Sequence, residues 1–176
     1  MKDHAKFNNT RIVVVGGACF VGSNLVKMIL STADPCEVII VDNLLSAEKS
    51  NIPDDKRVVF REGSIAGDAV LATLQDDIDY LFHLATYHGN QSSIHDPLAD
   101  HENNTLTTLK LFERIKGFRK LQKVVYSSAG CAVAEKTYDQ AHATAEDAPI
   151  SLKMDSPYSI SKIIGEFYPG YFHDRP

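Results

Sequence analysis

An apolar strand that runs into a glycine-rich turn and out into a helix, RIVVVGGACFVGSNLVKMIL from Arg11 to Leu30, restricts this chain more than any other feature. Arg11–Val15 carries an unbroken β-branched run, the pattern of a strand buried on both faces, as in a parallel sheet covered by helices. Val21, Leu25, Met28 and Ile29 then fall at helical spacing. Between them, Gly16 and Gly17 permit a tight bend and a close backbone approach, and Gly22 lets the helix pack on the strand. A helix that starts at such a turn offers unpaired N–H groups and the positive end of its dipole to an anion. Cys19 stands where the middle glycine of this pattern belongs. It reads as a small buried filler, with a thiol activated at a helix N-terminus as the alternative.

Further along, Glu37–Asn43 is a second buried strand ending in an acid, and Arg57–Gly63 a third, followed by a short helix over Asp68–Leu74. Ile78–Ala85 is a fourth strand and Leu121–Ser128 a fifth. Asp96-Pro97 opens a long helix carrying Leu98, Leu106, Leu109, Leu111, Phe112 and Ile115, which Gly117 ends. Ser156-Pro157 starts the last helix, YSISKIIGEFY, and Pro169-Gly170 is expected to stop it. Strands alternating with helices predict a doubly wound α/β domain, a Rossmann-type parallel sheet with helices on both faces. The expected division is a polar extension over 1–10, one nucleotide-binding domain over 11–168 and a tail over 169–176.

The 176 residues suffice for one domain with a sizeable core. A formal charge of -5 argues against nucleic acid and anionic membranes, which both need a basic face. No apolar run is long enough to span a bilayer, and MKDHAKFNNT lacks a signal-peptide core. Cys19, Cys36 and Cys131 are odd in number and lack ligand spacing, so neither a disulfide framework nor a zinc site is expected. His83, His88, His95 and His101 share no register that would converge on a metal, and Glu146-Asp147 reads as a solvated loop. The expectation is a reduced, cytoplasmic protein.

Asp42 ends the second strand 20 residues past Gly22, where a carboxylate takes the ribose hydroxyls of a dinucleotide and repels a 2′-phosphate. That selects NAD over NADP. In PYSISK, Tyr158 and Lys162 lie at i, i+4 on one helical face. A free tyrosine titrates near pH ~10, too high for a base at neutral pH, and an ammonium one turn away favours the phenolate. Ser127 and Ser128 end the fifth strand, where a hydroxyl can bond the same substrate oxygen. Together these make an acid/base unit for moving a proton on and off a carbinol while NAD exchanges hydride.

From about Arg11 to Tyr168 the chain resembles the extended short-chain dehydrogenase/reductases, in the nucleotide-sugar epimerase/dehydratase branch typified by UDP-glucose 4-epimerase. The blocks that carry the likeness are VVVGGACFVGSNLV, VIIVDNL, DYLFHLAT, DPLADHENNTLTTLKLFE, VVYSSAG and SPYSISKIIGEFY. The resemblance implies that Gly16, Gly17, Phe20, Val21 and Gly22 form the pyrophosphate turn and that Asp42 and Asn43 take the adenosine ribose. Ser64 and Ile65 fall beside the adenine, where the family usually has Asp-Ile. Leu84, Ala85 and Thr86 match the strand end under the cofactor, and Asn104 a helix residue near it. Tyr158 and Lys162 match the catalytic pair, Lys162 also holding the nicotinamide ribose, with Ser128 as the catalytic hydroxyl. SSAGCAVAEK differs in length from the family loop, and Ala129 occupies one alignment of that serine.

The resemblance further implies a UDP-hexose substrate and a homodimer through the helices over 97–116 and 157–168, whose apolar stripe equally suits packing on the sheet. The family's C-terminal substrate domain has no counterpart in this sequence, so the chain is expected to supply the cofactor-binding part. Dehydratases of the family carry an Asp-Glu pair where this chain has Ala129-Gly130-Cys131, which favours 4-epimerisation. The alternatives are a non-catalytic NAD-binding module, a 4,6-dehydratase and a simple carbonyl reductase.

Overall fold

The computed structural model describes residues 4–87, 89–130, 145, 148–150 and 153–173. They form two compact units, one running up to Ala85 and including Lys110–Ser127, the other comprising Thr86–Leu109 and the residues from Ser128 on. The calls on His88, Cys131 and Glu146-Asp147 lie outside the described residues.

The first unit is a five-stranded sheet of β1 (Arg11–Val15), β2 (Glu37–Asp42), β3 (Val58–Glu62), β4 (Tyr80–His83) and β5 (Lys123–Tyr126), in the order β3-β2-β1-β4-β5. Every pairing is parallel, with Val14 opposite both Ile40 and Phe82. Two central strands buried on both sides explain why β1 and β2 read as continuous apolar runs. Ile12 and Val14 send side chains to one face, where Val38 and Ile40 join them against Val26 and Ile29 of α1 (Phe20–Thr32) and against Phe7. All but Phe7 in this set are completely buried. Arg57 fastens the far end of α1: its guanidinium donates to the carbonyls of Leu30 and Ala33 and pairs with Asp34 and Asp55. The bonded guanidinium holds the Asp55 carboxyl well below the usual carboxylate range. The short helix α2 (Asp68–Ala72) is tied to the sheet's covering helix by Arg114, which donates to the carbonyls of Leu71 and Leu74.

Order of strands matters more than their number. Between β1 and β4 the winding reverses, and the carboxyl ends of strands at such a switch point open a crevice for ligands. Gly16 follows β1 there and lies against the start of the segment after β4. A Cβ on Gly16 would sit 2.6 Å from the Ala85 nitrogen, and its φ of +81° is itself a glycine conformation.

The second unit is helical: α3 (Asn90–His95), α4 (Pro97–Asp100), a π-helical turn over His101–Leu106, and α6 (Pro157–His173). α5 (Thr107–Ile115) continues the π turn and bridges the division of the chain. The long helix expected over Pro97–Lys116 runs without a break to Ile115, but as α-helix, π turn and α-helix in place of one uniform α-helix. Asp96 caps α4 by accepting the Ala99 N–H, as its place before Pro97 led one to expect. The hydroxyls of Thr107 and Thr108 and the amide of Asn103 then bond helix carbonyls, and such intrusions loosen the i→i−4 ladder. The apolar stripe divides with it. Leu111, Phe112 and Ile115 are buried, whereas Leu98 and Leu106 are exposed.

Two more expectations are corrected. α3 was not foreseen, because GNQSSIH has no apolar period. α6 does not stop at Pro169-Gly170 but continues to His173, since a proline removes one helical donor without forbidding helical dihedrals on either side. Strands are also shorter than the apolar runs that announce them, β4 by two residues at each end.

The glycines of the turn cannot accept side chains. A Cβ on Gly22 would lie 2.2 Å from the Gly16 carbonyl oxygen, so Gly22→Ala should cost about 1–3 kcal/mol of stability. Denaturant unfolding monitored by circular dichroism checks this, and an unchanged midpoint would refute the packing.

Candidate cofactor and proton-transfer sites

In the first unit, everything converges on Asp42. The residue is 6% exposed, and both carboxylate oxygens are engaged by backbone. One accepts the Ala18 N–H at 3.0 Å and the other the Leu44 N–H at 2.9 Å. The end of β2 thus brackets the glycine turn on one side and its own following loop on the other. Leu44 adopts a left-handed φ of 57°, unusual for a leucine, and its N–H is the one Asp42 holds. Asn51 completes the bracket by donating its side-chain amide to the Ala18 carbonyl at 3.0 Å. Neither Ala18 contact was readable in the sequence, since the partners lie 24 and 33 residues away.

Beyond this bracket the first turn of α1 is open. Phe20 and Val21 are 82% and 64% exposed, and the first N–H groups of a helix have no intrahelical acceptors. Bare glycine backbone, free N–H groups and a carboxylate at the end of β2 are the parts a dinucleotide needs, so NAD fits this end of the sheet. A groove of about 660 Å³ runs from there, lined by Phe20, Ser23, Lys27, Ser46, Glu48 and Asn51 among others. Asn43 turns its side chain back to accept the Leu45 N–H, and the Ser64 oxygen accepts the Ala66 N–H. Ile65 is buried. Leu84 pairs its N–H with the Val15 carbonyl, extending the β4 ladder as far as the turn.

Cys19 is neither buried filler nor activated thiol. It is half-exposed at the N-cap of α1, with its sulfur 4.0 Å from the Ser46 hydroxyl. Partial burial and the negative charge of Asp42 push its thiol up from the usual value. The carboxylate that shapes the turn also suppresses the thiolate there, against the effect of the helix dipole.

In the second unit, α6 carries the tyrosine and the lysine. Ser156 caps its first turn by accepting the Ser159 N–H, and the Ser93 hydroxyl accepts the Tyr158 N–H at 3.1 Å. Lys162 is 3% exposed, and its ammonium lies 5.8 Å from the centroid of the Tyr158 ring. The i, i+4 spacing thus brings the two side chains together on one face of α6. The Ser128 hydroxyl donates to the Glu166 carboxylate, also on α6. Glu166 was missed in the sequence.

Asn104 sits at the centre of the π turn, 4% exposed. Its oxygen accepts the Tyr87 N–H at 2.7 Å, and its amide donates to the Tyr87 carbonyl at 3.1 Å and to Asp100 at 2.8 Å. Both amide protons are thereby used within the protein, and Thr86 adds a longer contact to the oxygen. The side chain acts on the backbone after β4.

Two outcomes test these arrangements. Iodoacetamide should modify Cys19 more slowly than a free thiol peptide at pH 8, the gap closing as pH rises, and peptide mass spectrometry reads the rate. Asn104→Ala should lower stability by about 1–3 kcal/mol and speed amide exchange at Tyr87, because the acceptor for that N–H is lost.

Comparison with known proteins agrees with this geometry. The model of the NAD dependent epimerase/dehydratase family matches residues 12–174. The Bordetella bronchiseptica enzyme WbmF, crystallised with NAD+, is 58% identical, with a TM-score of 0.81 over 97% of this chain and 48% of its own. Epimerase Mth375 of Methanothermobacter thermautotrophicus is 35% identical, with a TM-score of 0.88 over 99% of this chain and 51% of its own. UDP-glucose 4-epimerase of Mycolicibacterium smegmatis is 32% identical over 164 residues, 90% of this chain and 50% of the relative. The chain spans about half the length of these proteins. A glycine turn bracketed by Asp42, a Tyr158–Lys162 pair and a match along nearly the whole sequence place this chain in the NAD-dependent epimerase/dehydratase family.

Proposed function

We propose that the chain provides the cofactor-binding and proton-transfer parts of an NAD-dependent UDP-hexose 4-epimerase. The observation that carries this reading is the buried Lys162 ammonium against the Tyr158 ring. The N–H groups at the start of α1 would hold the pyrophosphate, and Asp42, fixed by two backbone bonds, would take the adenosine ribose hydroxyls. Its charge opposes a 2′-phosphate, which favours NAD. Bound NAD supplies a reversible two-electron acceptor for a carbinol carbon. Tyr158 as phenolate removes the proton from the sugar 4-hydroxyl and returns it to the 4-keto oxygen, so the cycle is neutral in protons and electrons. Lys162 would favour the phenolate and would hold the nicotinamide ribose, and inversion would follow if the keto sugar were reduced on its opposite face.

A second reading is an NAD-binding module without turnover. Cys19 beside Asp42, with a side chain where the pattern has bare backbone, favours it.

Tyr158→Phe in the full-length polypeptide separates the two. It should reduce UDP-hexose epimerisation by at least about a hundredfold, the lower range for removing a general acid–base group, while NAD titrated by calorimetry binds as before. Turnover at the wild-type rate would overturn the assignment of Tyr158. Absence of turnover in the wild type, with NAD bound, would favour the module.

A further inference from the structure

The first N–H groups of a helix have no acceptor inside it and must find one elsewhere. In the first turn of α6, Pro157 has no N–H to place, and the Ser159 N–H goes to the Ser156 hydroxyl three residues back. Tyr158 differs. Its N–H is accepted by the Ser93 hydroxyl on α3, 65 positions away in sequence. Ser93 is 2% exposed, and its own proton goes to the Asn90 carbonyl at 2.8 Å, so its oxygen meets Tyr158 as an acceptor. Asn90, the first residue of α3, adds a second link: its side-chain oxygen accepts the Ser156 hydroxyl at 3.2 Å. The start of α6 is thereby tied to α3 at two neighbouring residues, one of them the tyrosine itself.

We propose that Ser93 is a positioning residue for Tyr158. The nitrogen it holds is bonded directly to the Cα that carries the phenol, so the link to α3 sets where that side chain starts. Proton transfer needs donor and acceptor within hydrogen-bond reach, and a small displacement of either slows it steeply. Without the Ser93 hydroxyl the helix still forms, because Ser156 still caps it, but the turn that carries Tyr158 loses its direct bond to α3. Lys162 and Ser93 thus divide the work: the ammonium acts on the charge of the phenol and the serine on its place. The inference rests on the proposed role of Tyr158 and deepens it by naming what holds that residue.

The test uses the full-length polypeptide with NAD and UDP-glucose, in the wild type and the variants Ser93→Ala, Tyr158→Phe and the two together. Ser93→Ala should lower kcat about tenfold by misplacing the phenol, with NAD affinity by calorimetry unchanged. The double variant should be no slower than Tyr158→Phe alone, because Ser93 acts only through the phenol. A general loosening of the fold would instead weaken NAD binding and slow Tyr158→Phe further. That result overturns the proposal, as does a wild-type kcat in Ser93→Ala. A wild type without turnover, or wild-type turnover in Tyr158→Phe, is a failure of the epimerase reading and removes the role of Ser93 with it. Amide exchange needs no substrate: Ser93→Ala should speed exchange at Tyr158 and not at Ser159, whose acceptor is Ser156. Unchanged exchange at Tyr158 overturns the link.

Discussion

The carboxylate of Asp42 is the constraint on which the nucleotide-binding end of the sheet depends. It belongs to β2, yet it fixes the turn after β1 through Ala18 and its own loop through Leu44. Parallel neighbours place their carboxyl ends side by side, so a short acid on one strand can reach the backbone leaving the next. The same charge raises the Cys19 thiol. One buried carboxylate thus shapes the turn and quiets its cysteine. Burying it is affordable because two N–H groups compensate the lost water.

What could be read in advance was what is local in sequence. The strand–turn–helix from Arg11, the five strands and the Tyr158–Lys162 stripe all rest on periodicity or on spacing within one element. They appear as expected, apart from strand ends. What escaped depends on residues far apart. Asn51 on Ala18, Glu166 on Ser128 and Asn104 on Tyr87 are single side-chain hydrogen bonds across 33, 38 and 17 positions, and no composition or period encodes them. Other misreadings were of local rules overridden by context. The apolar pattern over 97–116 looks like one helix because a π turn changes the register by only a fraction of a turn, and the hydroxyls and amides that permit it resemble ordinary surface residues.

Cys19 shows how neighbours decide chemistry. At a helix N-terminus a thiol is expected to gain acidity from the dipole. Here desolvation and a carboxylate held in place for another purpose outweigh that gain. Its side chain leans toward Ser46, on the side of the turn facing the β2 loop, and so is tolerated where the pattern has glycine. Gly22 has no such freedom, because the space its Cβ would need is occupied by backbone.

Pro169 gives α6 an uneven stiffness along its length. A proline cannot donate to the carbonyl four residues before it, here that of Gly165, so the turn that carries Glu166 is held by one hydrogen bond fewer than the turns before it. The turn from Tyr158 to Lys162 keeps its full ladder and hence its spacing. The helix is accordingly bonded more completely where it carries Tyr158 and Lys162 than where it carries Glu166.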